Sequence, residues 1–78
     1  MITVRYFASL KEQTGRSEDL IDFDEDATVK DAWLKSNNNQ PLPDNVLAAV
    51  NMEYAGLEEA LKDGDEVAFF PPVTGGGV

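Results

Sequence analysis

The pattern of this 78-residue chain predicts an α+β fold, a mixed sheet packed on one main helix. Three observations carry that expectation. Alternating apolar and polar residues open and close the chain, at residues 2–8 and 66–70. One amphipathic helix starts behind a strong capping signal at Thr28. A short, nearly continuous apolar run occupies residues 46–51. The order is strand, strand, helix, strand, short strand, strand, so one helix covers one face of one sheet.

The first strand is rich in β-branched and aromatic residues. Ile2, Val4 and Tyr6 share one face; Arg5 and Phe7 fall on the other. Residues 9–15 read as one or two helical turns, stopped by Gly15. A second, shorter strand is expected at residues 19–23. The gap between the two is too long for a two-residue turn, so as neighbours they form a wide-looped antiparallel pair.

Asp24, Glu25 and Asp26 are an acidic run just ahead of a helix start. Thr28 reads as the N-cap and Asp31 as its reciprocal partner. Capping and the helix dipole account for this cluster better than a metal site does. Val29, Ala32, Trp33 and Ser36 share a helical face, with Trp33 as the main core plug. Residues 37–45 form a polar loop punctuated by proline.

Residues 46–51 read as a third strand in a central position. Residues 52–55 add a short strand after a tight turn. Residues 57–61 read as a brief helical turn, and 62–65 as a turn with Gly64 at positive φ. The last strand spans residues 66–70, with Val67 and Phe69 toward the core and Ala68 and Phe70 away from it. Phe7 and Phe70 are therefore expected to be exposed on the face away from the helix, the mark of a protein interface.

Composition narrows the function. A chain of this size forms one small domain with a thin core. No run approaches the ~20 apolar residues of a membrane span. The first residues lack the pattern of a signal peptide, so a cytoplasmic protein without a membrane role is expected. The chain has no cysteine and no histidine. Disulfides, a thiol nucleophile, thiolate metal sites and the usual neutral-pH general base are therefore excluded. Its serines have no histidine to activate them. A net charge of −9 argues against nucleic acid and suits a basic protein partner or simple solubility.

What remains is the end of the chain, Phe70-Pro71-Pro72-Val73-Thr74-Gly75-Gly76-Gly77-Val78. The prolines hold their stretch extended. Three glycines lack a Cβ and fit a channel that side chains would block. A Gly-rich end by itself is often only a frayed terminus. Here its carboxylate is the one chemical group left. Adenylation by ATP makes it an electrophile, and a sulfur or amine nucleophile displaces AMP. From Pro72 to Gly76 an extended chain reaches about 14 Å.

Three stretches carry a resemblance: residues 1–8, residues 47–51 and residues 63–76. In them the chain resembles the small, sulfur-carrier subunits of molybdopterin synthase, which are ubiquitin-like β-grasp proteins. The resemblance implies a β-grasp domain over residues 1–72 and a flexible Gly-rich tail over 73–78. It implies that an ATP-dependent activating enzyme adenylates the terminal glycine, which becomes a thiocarboxylate. The tail then enters the active site of the large synthase subunit and donates sulfur to cyclic pyranopterin monophosphate. Two small subunits flank a dimer of large ones. The catalytic side chains belong to the large subunit, and the small one binds no cofactor of its own; ATP is used by the activating enzyme.

By position in the resemblance, Gly75 and Gly76 match the reactive end. Phe7, Tyr54 and Phe70 match the hydrophobic docking surface, and Pro71, Pro72, Val73 and Thr74 match the inserted segment. The family normally ends at the glycine matching Gly76, whereas Gly77 and Val78 follow here. A β-branched Val78 hinders activation, so Gly76 is expected to work after those two residues are lost. Gly77 and Val78 are otherwise an addition, or the mark of a carrier that is not charged as written. Two other functions stay open: a sulfur carrier of another pathway, such as thiamine thiazole synthesis, and a ubiquitin-like binding module that is never charged.

Overall fold

The computed structural model describes residues 1–72. Strand β1 (Ile2–Tyr6) pairs antiparallel with β2 (Glu18–Ile21) and parallel with β5 (Glu66–Phe70). Strand β3 (Leu47–Val50) pairs antiparallel with both β5 and β4 (Glu53–Ala55). The five-stranded sheet therefore runs β2-β1-β5-β3-β4. Helix α2 (Val29–Ser36) packs on one face, and the short α1 (Ser9–Thr14) follows β1. This is the ubiquitin-like β-grasp arrangement, and the expected α+β class holds.

Period-two alternation sends Ile2, Val4 and Tyr6 of β1, with Val67 and Phe69 of β5, into the core. Helix α2 meets them with Val29, Ala32 and Trp33. The Trp33 ring stands edge-on to Phe69 at 5.1 Å and to Tyr6 at 5.8 Å, a favoured aromatic geometry. Its indole N–H donates to the Gln40 carbonyl at 3.0 Å, so the plug leaves no polar atom stranded. Thr28 and Asp31 form the expected capping box, each side chain accepting from the other's backbone N–H. Gly15 ends α1 at φ 76, as its position predicts.

Tyr6 carries the one polar network of this core. Its hydroxyl donates to Asp19 Oδ2 at 3.0 Å, lies 2.8 Å from Ser36 Oγ and accepts from Asn37 Nδ2 at 3.2 Å. Burial, helped by the Asp19 carboxylate, raises the phenol pKa above its ordinary value.

Three expectations change. Residues 57–61 are not helical. Their carbonyls are taken by the free N–H groups around the start of α2: Val29 donates to Glu59 and Lys30 to Leu57, both at 3.0 Å. Leu61 N–H donates back to the Ala27 carbonyl at 2.9 Å, and Thr28 and Ala60 form an isolated bridge. With a turn at Leu57 and Glu58, closed by Glu59 N–H on the Gly56 carbonyl at 3.2 Å, these bonds fix the segment and bury Leu61. Strand β3 is interior but not central; β5 takes the centre because it pairs with β1. Strand β2 starts at Glu18 and stops at Ile21, which leaves Phe23 outside it, in the register that opposes Arg5 to Glu18.

Two predictions follow from local geometry. Asn51 and Met52 form the two-residue turn between β3 and β4, with φ 51 and 72. Both φ are positive, as a type I′ hairpin turn requires. Met52 is 93% exposed and makes no packing contribution that offsets its left-handed backbone. Met52→Gly is expected to raise stability by about 1 kcal/mol in urea unfolding; an unchanged or lower midpoint contradicts this. The second concerns Tyr6. A raised folded pKa means stability that is complete below the ordinary phenol value of 10.0 and is lost as pH rises through the folded value. Tyr6→Phe is expected to flatten that alkaline loss, read as unfolding midpoints from pH 8 to 11.

Candidate functional site

The sheet face turned away from α2 is built by the other half of each alternation. The register aligns Tyr54, Ala49, Ala68, Arg5 and Glu18 in one row across all five strands. Leu47 opposes Phe70 in the next row. Phe7 continues the outward alternation of β1, and its N–H donates to the Phe69 carbonyl at 3.1 Å. Because β1 and β5 are parallel and β3 is antiparallel, Phe7, Phe70 and Leu47 share one end of the sheet. Ala49 and Ala68 keep the strip between them shallow.

The expectation that both phenylalanines are exposed is half right. Phe7 is 45% exposed, but Phe70 is half-buried. Tyr54 covers it, with the ring centroids 5.8 Å apart. Tyr54 is the projecting group, 77% exposed. Leu47, at the start of β3, joins this apolar face and was not singled out from the sequence. The signal was present: Ala48 points into the core, so Leu47 and Ala49 must point out.

Charge borders the face at Arg5. Arg5 pairs with Glu66 and lies 3.6 Å from Glu18. These groups are about half exposed, and such pairs contribute at most about 1 kcal/mol. They set an edge to the apolar strip more than they stabilise the fold.

Strand β5 leads from the centre of the sheet into Pro71, half-buried, and Pro72, exposed. Neither proline donates a ladder bond, so pairing ends there. Val73, Thr74, Gly75 and Gly76, with Gly77 and Val78, lie outside the described residues. Strand β5 thus ends beside the apolar face. Among the described residues, no helix is long and apolar enough to cross a membrane.

A β-grasp fold whose outer sheet face is apolar among the described residues, with a Gly-rich sequence following its central strand, defines a ubiquitin-like carrier or modifier type of protein. The chain belongs to the ThiS family, which matches residues 4–76. It is 40% identical to the molybdopterin synthase sulfur carrier subunit of Escherichia coli (strain K12), over 97% of this chain and all of the relative. It is 39% identical to small archaeal modifier protein 1 of Haloferax volcanii, over 92% of this chain and 97% of that one. The crystal structure of SAMP1 from Haloferax volcanii superposes with a TM-score of 0.80 at 36% identity, covering 96% of this chain and 98% of that chain.

If the outward face is surface rather than core, truncating it leaves the fold intact. Phe7→Ala and Tyr54→Ala are expected to change unfolding free energy by no more than about 0.5 kcal/mol. Phe69→Ala, one residue from Phe70 but inside the aromatic cluster, is expected to cost about 3–5 kcal/mol. Denaturant titrations of the three variants check the contrast.

Proposed function

We propose that this chain is a sulfur carrier for molybdenum cofactor biosynthesis, the small subunit of a molybdopterin synthase. The observation that carries the reading is the end-to-end likeness to sulfur carrier subunits, with a family match that runs to Gly76. The geometry supports it. With no cysteine to carry transferable sulfur, a terminal carboxylate is the group suited to it, and β5, the last strand before that terminus, ends beside an apolar face suited to docking.

An ATP-dependent activating enzyme converts the Gly76 carboxylate to an acyl adenylate and releases pyrophosphate. A sulfur nucleophile then attacks the carbonyl carbon, AMP leaves, and a thiocarboxylate results. Glycine at this position puts no side chain in the path of attack. The charged carrier docks on the large subunit through Phe7, Tyr54 and Phe70. Pro71, Pro72, Val73, Thr74 and Gly75 lead the terminus into that subunit's active site, where sulfur passes to cyclic pyranopterin monophosphate. The working assembly is two small and two large subunits. Gly77 and Val78 are removed before charging.

A second reading rests on the likeness to small archaeal modifier protein 1. There the same activated glycine is attacked by an amine instead of sulfur, and the carrier becomes joined to another protein through an amide.

The test uses the form ending at Gly76, incubated with ATP, the activating enzyme and a sulfur source. Intact mass is expected to rise by one oxygen-to-sulfur exchange. No exchange, with heavier protein conjugates instead, favours the modifier reading. Protein from the native host is expected to end at Gly76; a sole species retaining Val78 contradicts the trimming. Phe7→Ala and Phe70→Ala are expected to weaken large-subunit binding by about 1–4 kcal/mol. Unchanged affinity in a titration removes them from the docking face.

A further inference from the structure

On the helix side of the sheet, remote from the apolar face described above, α2 and β2 do not close completely. An open groove of about 330 Å³ remains between them. Its floor is apolar: half-buried Ile21 and Leu34 present its accessible surface, over Ile2, Ala32 and Leu61, which are buried beneath. Its rim is acidic, with Asp22, Asp24, Asp26 and Asp31 all exposed. Among the described residues, none of these four carboxylates forms an ion pair. Asp31 accepts from Thr28 in the capping box, while the side chains of Asp22, Asp24 and Asp26 make no hydrogen bond. The one cation at the rim, Lys35, donates to the Asp22 carbonyl at 3.1 Å.

This pairing of surfaces is specific in its chemistry. An apolar floor alone would take any hydrophobic side chain, and an acidic rim alone any cation. Together they fit a lysine or arginine side chain, or a short segment alternating such residues with aliphatic ones. The stem lies on the floor and the cationic head meets the carboxylates. Helix capping explains Asp31. The dipole of α2 favours Asp24 and Asp26 ahead of it, but neither capping nor the dipole accounts for the apolar floor that these carboxylates surround without a cationic partner.

We propose that this groove is a second docking surface, which receives a basic, aliphatic-containing segment of a protein partner. It lies on the opposite side of the sheet from Phe7, Tyr54 and Phe70. A partner held there leaves that face and the exit of β5 free, so the two surfaces can be occupied at once. The inference stands whether the terminus carries sulfur or is joined to another protein.

The test is amide chemical-shift mapping on the full chain, with a capped pentapeptide of alternating lysine and leucine as the probe. Shifts are expected to cluster at residues 21–35 and at Leu61, and to leave Tyr54 and Phe70 unmoved. Replacing leucine by glycine in the probe is expected to weaken binding at least about tenfold, because the floor is no longer filled. Asp24→Asn with Asp26→Asn is expected to weaken it roughly fivefold. Glu12→Gln with Asp44→Asn makes the same charge change away from the groove and is expected to leave affinity unaltered. Neither Asp24 nor Asp26 makes a side-chain hydrogen bond, so the double variant is expected to stay folded, checked by its unfolding midpoint. No shifts, shifts spread over the whole acidic surface, equal loss in both double variants, or a polyamine that binds the groove as tightly as the peptide would each overturn the proposal.

Discussion

The parallel pairing of β1 with β5 is the constraint on which the rest of this molecule depends. It joins Thr3 to Glu66 and Tyr6 to Phe69, the two ends of the described chain. A parallel pair cannot be closed by a hairpin, so everything between must cross over and return. That crossover contains α2, which is why the helix lands on the sheet. The same pairing brings Val4 beside Val67 and Tyr6 beside Phe69 on the inner face. It also draws the amino terminus to the turn before β5, where Gly64 N–H donates to the Met1 carbonyl at 2.9 Å and the terminal ammonium meets Asp63.

One helix covers one face, and the consequence is an asymmetric protein. The inner face is closed by the Trp33, Phe69 and Tyr6 rings. The outer face keeps its apolar strip open, and Tyr54 shields Phe70 only in part. Small domains have little core to spare, so leaving this much apolar surface uncovered is a cost that a docking partner removes. The high negative charge is distributed unevenly around this plan. Ion pairs lie at the edge of the apolar strip, at Arg5 with Glu18 and Glu66. The unpaired aspartates surround the groove on the opposite side.

Much of this was legible in the residues themselves. Alternation in β1 and β5 assigned every side chain to its face, and Thr28 with Asp31 marked the helix start. The Gly15 stop and a tight turn between the third and fourth strands were local signals read by local rules, although the turn residues themselves, Asn51 and Met52, were placed in the flanking strands. The errors have a common origin. Residues 57–61 have helical spacing, yet α2 needs acceptors for its first N–H groups, and that distant demand set their conformation. Phe70 alternates outward as expected, but a neighbouring strand supplied the ring that covers it.

By itself the sequence determined most of the elements and which side of each faces the core, and it pointed to the terminal glycines, not to a side chain, as the place to look for chemistry. These follow from periodicity, capping and composition, which act over a few residues. The tertiary structure decided the strand order, with β5 and not β3 at the centre, and so decided that Phe7, Leu47 and Phe70 meet at the end of the sheet where β5 stops. It also decided that aspartates placed for a helix start would rim an apolar groove. Such outcomes depend on pairings between residues far apart in the chain, and no local pattern specifies which strand becomes whose neighbour.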